Sequence, residues 1–129
     1  MYLDHAMRIA EAMIASQNRD PAYRDWLGGY HEPPGSTPAA TRSEGLMAAY
    51  KLARDYGSQR KAARILEAVR YGVAFQLQTQ FWPERTLYLD NPQRALGGFS
   101  RDLTNYEIRI DYVQHNLSSI LALRGAISD

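Results

Sequence analysis

Four landmarks occur twice in this chain, in the same order, and that doubling limits what it can fold into. Ala15-Ser16-Gln17 precedes Leu27-Gly28-Gly29-Tyr30, then Thr41-Arg42-Ser43-Glu44, then an apolar stripe of Leu46, Ala49, Tyr50 and Ala53. Gln78-Thr79-Gln80 precedes Leu96-Gly97-Gly98-Phe99, then Ile108-Arg109-Ile110-Asp111, then Val113, Asn116, Leu117 and Ile120. The Gly-Gly pairs are 69 residues apart and the Arg-x-acid pairs 67 apart, so the halves align with small gaps in loops. Repetition at such a period points to stacked supersecondary units. Paired glycines permit a sharp turn against a helix end. The aromatic ring that follows can plug the gap between neighbouring hairpins.

Helical periodicity marks four segments. Ala6, Ile9, Ala10, Met13 and Ile14 recur at helical spacing, predicting a helix from about Asp4 to Gln17 with Asp4 as N-cap. Thr41-x-x-Glu44 has the spacing of a capping box and predicts a second helix from Thr41 to Tyr56. Gly57 is expected to close that helix in a left-handed conformation, and Ser58 to cap a third reaching about Gln80. The tight connection makes these two an antiparallel hairpin. A fourth helix is predicted from Asp111 to Arg124, with Val113, Leu117, Ile120 and Leu121 inward and Gly125 as terminator. The stretches Arg19 to Ala40 and Phe81 to Ile110 hold the prolines, both Trp and several other aromatics. Neither alternates with period two for long enough to argue a sheet. Irregular stretches of this length are uncommon unless functional, and their aromatics predict packing over one end of the helices.

Composition closes off several function classes. The chain has 129 residues, 45% of them hydrophobic, which fits one globular domain and excludes disorder. It has no Cys, so disulfides, thiol nucleophiles and Cys-based zinc sites are excluded. A net charge of +1 predicts no bulk attraction to nucleic acid or anionic lipid. The basic residues Lys51, Arg54, Arg60, Lys61 and Arg64 fall mainly on a solvent face by helical spacing. No apolar run approaches the roughly 20 residues of a membrane span, and no leader is visible, so the expected compartment is cytoplasmic. Thirteen of the fifteen basic residues are Arg, which suits fixed bidentate contacts.

A helix ending in Gln, a Gly-Gly-aromatic loop and a second helix opened by an acidic residue resemble the repeat of the α/α-toroid proteins. Protein prenyltransferase β subunits, terpenoid cyclases and toroidal glycan enzymes share that layout. The second half resembles it best, through Leu77-Gln78-Thr79-Gln80, Gly97-Gly98-Phe99-Ser100, Asp111-Tyr112-Val113-Gln114-His115 and Leu117-Ser118-Ser119-Ile120-Leu121-Ala122-Leu123. The resemblance covers nearly the whole chain and is specific for architecture rather than for any one activity. It implies an all-α fold of two toroid-type hairpins, a partial ring with long loops at one end. Residues 1–129 would be a single domain of two repeats, about 4–56 and 60–124. A closed toroid has more hairpins than two, which implies a segment of a larger ring, or copies that complete one another.

The departures from the family restrict function. Prenyltransferases hold zinc with Asp, Cys and His. Here Asp111 and His115 stand one helical turn apart with no evident third ligand, so neither metal nor cofactor is expected. The acidic run of the cyclases is also missing, since no two acidic residues are adjacent. In toroids the second helix of each hairpin lines a cavity, with its N-terminus at the substrate end. Carried over, this implies Asp111, His115 and Glu44 as candidate catalytic groups. Arg42, Arg109, Tyr30, His31 and Phe99 become candidate substrate contacts. The substrate class implied is a glycan or other polar anion, because Arg beside aromatic rings suits sugar acids or phosphate. One alternative is a non-catalytic repeat module for ring assembly or protein–protein interaction; another is an isoprenoid-related toroid. Whether the chain is an enzyme stays open at this stage. Each candidate also has a purely structural reading. Glu44 and Asp111 would cap helices, both Arg would clamp loops, His115 would be a packing residue, and His31 an exposed loop residue. Expected partners are a small-molecule or glycan ligand, and either the rest of a larger chain or self-association.

Overall fold

A computed structural model describes residues 2–128. The fold is all-α, and among the described residues strand-like pairing is limited to isolated bridges. The long helices are α1 (Tyr2–Ala15), α2 (Ser36–Tyr56), α3 (Gln59–Gln78) and α6 (Ile110–Ser128). The connections hold a 3-10 turn at Arg24–Trp26 and two single-turn helices, α4 (Pro83–Thr86) and α5 (Pro92–Ala95). No described helix is long and apolar enough to cross a membrane.

Helix α2 is central and packs against α1, α3 and α6. Leu46, Met47 and Ala53 of α2 join Met7 and Ala10 of α1, Ile65, Val69 and Val73 of α3, and Leu123 of α6 in one core. Helices α2 and α3 form the predicted hairpin, and Ser58 caps α3 as expected, its Oγ accepting the Lys61 N–H at 3.0 Å. Helices α2 and α6 lie side by side with their N-termini at the same end. Thr37 and Tyr112 border one cavity there, whereas Tyr50 and Ala122 border a groove toward the other end.

Several helix ends differ from expectation. Helix α1 starts at Tyr2, which puts Asp4 inside the first turn rather than at the cap. Helix α2 starts at Ser36, five residues before Thr41, with Gly35 at the N-cap. Pro38 is tolerated there because the first-turn N–H groups lack intrahelical partners in any case. The Thr41-x-x-Glu44 box therefore lies inside the helix and caps nothing. Thr41 Oγ1 donates back to the Thr37 carbonyl at 3.0 Å. Gly57 has φ −118° and is not left-handed. Helix α6 starts at Ile110, so Asp111 is a first-turn residue. It also runs through Gly125 to Ser128, the cost of one helical glycine, about 1 kcal/mol, being offset by Ala126 packing on the core.

The buried face of α6 is the main correction, although Ile120 packs on the core as predicted. Leu117 and Leu121, expected inward, are 49% and 51% exposed. Tyr112, Asn116, Ser119 and Leu123 are buried instead. Two polar residues can occupy this face because Gln76 of α3, itself fully buried, satisfies them. Its Nε2 donates to Asn116 Oδ1 at 3.1 Å and to Ser119 Oγ at 2.7 Å, while its Oε1 accepts from Ser43 Oγ at 2.8 Å. Buried polar groups are stable when every member finds a partner.

The two long connections close by the same backbone pattern. Gln17 bridges to Tyr30 and Gln80 to Phe99. The Asn18 N–H donates to the Gly29 carbonyl and the Gly28 N–H to the Asn18 carbonyl, both at 2.9 Å. The Phe81 N–H donates to the Gly98 carbonyl and the Gly97 N–H to the Phe81 carbonyl, both at 2.8 Å. Leu27 and Leu96 share φ −55°, with ψ 126° and 127°. Gly28 and Gly97 follow at φ +88° and +85°, the left-handed region that glycine enters without strain. Tyr30 and Phe99 then turn inward and are buried.

Candidate functional site

The connections also bind to each other, and this builds a cavity. The Ser36 N–H donates to the Arg101 carbonyl at 2.8 Å and Ser36 Oγ to the Ser100 carbonyl at 2.7 Å. Gly35 bridges to Asp102. The loop before α2 is thereby held against the loop before α6, over the N-terminal ends of both helices. Between them lies a cavity of about 460 Å³, lined by His31, Pro33, Gly35, Thr37, Pro38, Arg101, Asp102, Arg109 and Tyr112.

Its electrostatics favour an anion. Arg101, Arg109 and His31 face one carboxylate, Asp102, whose Oδ1 is already engaged. That oxygen accepts from the Thr104 N–H at 2.9 Å, from Thr104 Oγ1 at 3.1 Å and from the Asn105 N–H at 2.7 Å. Burial pushes the Asp102 carboxyl up. The hydrogen bonds from Asn105 and Thr104, with the charge of Arg101, outweigh this and hold it below the ordinary Asp value. Arg109 Nε contacts Asp111 Oδ1 at 3.0 Å, which steadies the guanidinium while leaving other N–H groups of its fork available. Helix α2 brings its positive end to the cavity, with no acidic residue in its first turn and no side-chain cap. Thr37 Oγ1 is buried and has no hydrogen-bond partner. Tyr112 donates its hydroxyl to Glu107 Oε1 at 2.7 Å. That bond, with burial and the Glu107 charge, raises the phenol above its usual value. His31 holds φ +74°, uncommon for a residue with a side chain.

The residues expected from sequence fall into three groups. Arg109 and His31 line the cavity. Glu44 and His115 meet each other, Nδ1 to Oε1 at 2.8 Å, as a partly buried bridge between α2 and α6. His115 is therefore oriented by Glu44 rather than by Asp111, which is held by Arg109. Neither Glu44 nor His115 lines the cavity; His115 lies one helical turn below Tyr112, and Glu44 two turns below Thr37. The third group is structural. Tyr30 and Phe99 are 1% and 2% exposed and do not reach the cavity. Burial pushes the Tyr30 phenol up to about 12, against the opposing charges of Arg42 and Arg19, and its hydroxyl has no partner. Arg42 stands over the Tyr30 ring at 5.1 Å and donates to the Pro38 carbonyl at 3.2 Å.

Arg101, Asp102, Thr37 and Tyr112 were not singled out from sequence. Asp102-Leu103-Thr104-Asn105 does carry a signal, since Asp and Asn side chains make turns by bonding backbone two residues on. Among the described residues no group of three His, Asp or Glu is placed to hold a metal ion.

The Glu44–His115 contact yields a prediction that separates it from a helix cap. In a double-mutant cycle of Glu44→Ala and His115→Ala, urea unfolding is expected to show a coupling of about 1 kcal/mol. Strictly additive losses would mean that the two side chains do not act on each other. Compared with protein-family models, curated proteins and solved structures, the chain matches none.

Proposed function

We propose that this chain is an α/α-toroid-type pair of hairpins whose loop-end cavity binds a polar anionic ligand of the glycan class, such as a sugar acid. The observation that carries this is the convergence of Arg101, Arg109 and His31 on a cavity whose one lining carboxylate, Asp102, has its Oδ1 engaged by its own turn. The toroid reading is supported by the matched closure of the two connections and by α2 and α6 lying side by side behind them. Guanidinium forks bind carboxylate or phosphate oxygens in pairs, and the Arg109 guanidinium is placed over the Tyr112 ring that lines the same cavity. A lining rich in Arg, His, Asp and Thr supports a polar ligand over an isoprenoid. The acid–base candidates Glu44 and His115 lie beneath the cavity and are committed to each other, which favours binding over catalysis.

Amide chemical shifts during titration with glucuronate, and separately with inorganic phosphate, test this. Glucuronate is expected to shift the amides of Thr37, Arg101 and Tyr112, and Arg109→Ala to weaken binding about tenfold, or 1.4 kcal/mol. Phosphate shifting the same amides more strongly would place the ligand among phosphates instead. No shift with either anion, or shifts that survive Arg101→Ala combined with Arg109→Ala, would refute the site.

A further inference from the structure

We infer that the chain docks head-to-tail on a second copy of itself, the α1/α2 edge of one copy receiving the α6 edge of the next. The reasoning starts from the joint inside the chain. Counting back from the equivalent bridges of Gln17 and Gln80, Ala6, Ile9 and Met13 of α1 hold the places of Val69, Gly72 and Gln76 of α3. Counting on from Arg42 and Arg109, Ala48, Ala49 and Leu52 of α2 hold the places of His115, Asn116 and Ser119 of α6.

In the second repeat those positions form the joint to the first. Gln76 bonds to Ser43, and a Cβ on Gly72 would stand 2.8 Å from the Ser43 hydroxyl. His115 meets Glu44, while Asn116 and Ser119 complete the bonds of Gln76. In the first repeat the same positions line an open groove, where Ile9 and Ala48 are exposed while Ala6, Met13 and Ala49 also touch the core. Ala6, Ile9, Met13, Ala48, Ala49 and Leu52 border an apolar groove of about 280 Å³ between α1 and α2. The groove is thus the translated copy of a surface that, 60-odd residues later in the chain, is already a helix-packing joint.

The opposite edge carries the matching half. On α2, Tyr50 and Arg54 border the seam with α6. Their equivalents on α6 are Leu117 and Leu121, about half exposed; Leu121 itself borders the seam with α2, and Leu117 does not. The chemistry of the two edges has changed together. Beside the apolar core, the internal joint carries a polar cluster, with Gln76 and His115 meeting Ser43 and Glu44, and Asn116 and Ser119 completing the bonds of Gln76. The open groove is apolar, and on the α6 edge that would enter it Leu117 is an exposed apolar side chain among the polar Gln114, Ser118 and Arg124. A polar joint specifies one pairing within the chain, and an apolar pair can associate between chains without leaving buried donors unmatched. Because the two surfaces differ, the contact is heterologous and propagates or closes into a ring.

The inference rests on the repeat registers and is independent of the cavity, so failure of the anion titration would leave it standing. Sedimentation equilibrium of the whole chain tests it with two variants at exposed positions, Ala48→Glu in the groove and Leu117→Glu on α6. The wild type is expected to show an average mass that rises with concentration, and each variant alone to remain monomeric. Mixed in equal amounts, the variants still have one intact groove and one intact α6 edge between them. They are expected to form a species of twice the monomer mass and nothing larger. A wild type that stays monomeric to about 1 mM overturns the inference, as do variants that associate like the wild type. A mixture that fails to pair overturns it too, because that is the behaviour of a symmetric contact. Unchanged helical circular dichroism of both variants confirms that the fold is intact.

Discussion

Gly28→Ala is expected to cost about 4 kcal/mol of stability, and Gly97→Ala only about 1 kcal/mol. The two glycines hold equivalent places and nearly the same backbone angle, φ +88° and +85°, so the strain of a left-handed alanine is common to both. What differs is the space beyond. A Cβ on Gly28 would stand 1.9 Å from the carbonyl oxygen of Tyr71 and 2.4 Å from its carbon, within the backbone of α3. A helix backbone cannot yield as a side-chain tip can, so the loop must lift away. Lifting it separates Gln17, whose Nε2 donates to the Gly28 carbonyl at 3.0 Å and to the Ala68 carbonyl at 2.9 Å. Around Gly97 no atom lies within 4 Å of the added carbon among the described residues. Urea unfolding of the two variants checks this, and equal losses would show that backbone angle alone governs both positions.

Replacing Gln76 by leucine should cost about 3 kcal/mol although leucine is apolar and of similar volume. The side chain is fully buried, and its three hydrogen bonds tie α3 to α2 through Ser43 and to α6 through Asn116 and Ser119. Leucine would leave the Asn116 Oδ1 without its donor and the Ser43 hydroxyl without its acceptor, in a region closed to water. The loss exceeds that of a single hydrogen bond because unmatched groups remain buried. Gln78→Ala is the control. That residue is exposed and makes one long contact, 3.4 Å to the Asp25 carbonyl, so its loss should stay within about 0.5 kcal/mol. A Gln76→Leu variant as stable as wild type in thermal and urea unfolding would show that the cluster contributes nothing net.

Particular residues show how far the sequence was legible. The helices α1 and α3 and the cap at Ser58 depend on near neighbours along the chain and appear within a few residues of the prediction, but in α1 Met7 is buried in place of Ile9, which is exposed. The doubled Leu-Gly-Gly-aromatic also reports a local requirement, one left-handed residue followed by an inward ring. The start of α2 was misplaced because Thr41-x-x-Glu44 satisfies the spacing of a capping box equally well inside a helix. The choice between the two was settled by Pro38 and by the Arg101 carbonyl, which takes the Ser36 N–H from 65 residues away. The inward face of α6 was partly misassigned for a comparable reason, Ile120 packing on the core as predicted while Leu117 and Leu121 do not. Apolar periodicity favoured Leu117 and Leu121, and nothing near Asn116 or Ser119 in the chain announces that Gln76 will satisfy them.

The candidate site divides along the same line. Arg109 and His31 could be named from sequence because they flank the repeated landmarks. Their neighbours Arg101, Asp102 and Thr37 could not, since they meet only when one long connection is bonded onto the other. By itself the sequence determined an all-helical chain, its doubled layout and the glycines on which each connection turns, all of which follow from torsional preferences and periodicity within short stretches. Tertiary structure alone decided which face of α6 is buried, that Glu44 answers His115, and that two loops bring Arg101 and Arg109 to one cavity. Those outcomes depend on which distant donor meets which acceptor, and the pairing energy exists only once the helices are packed.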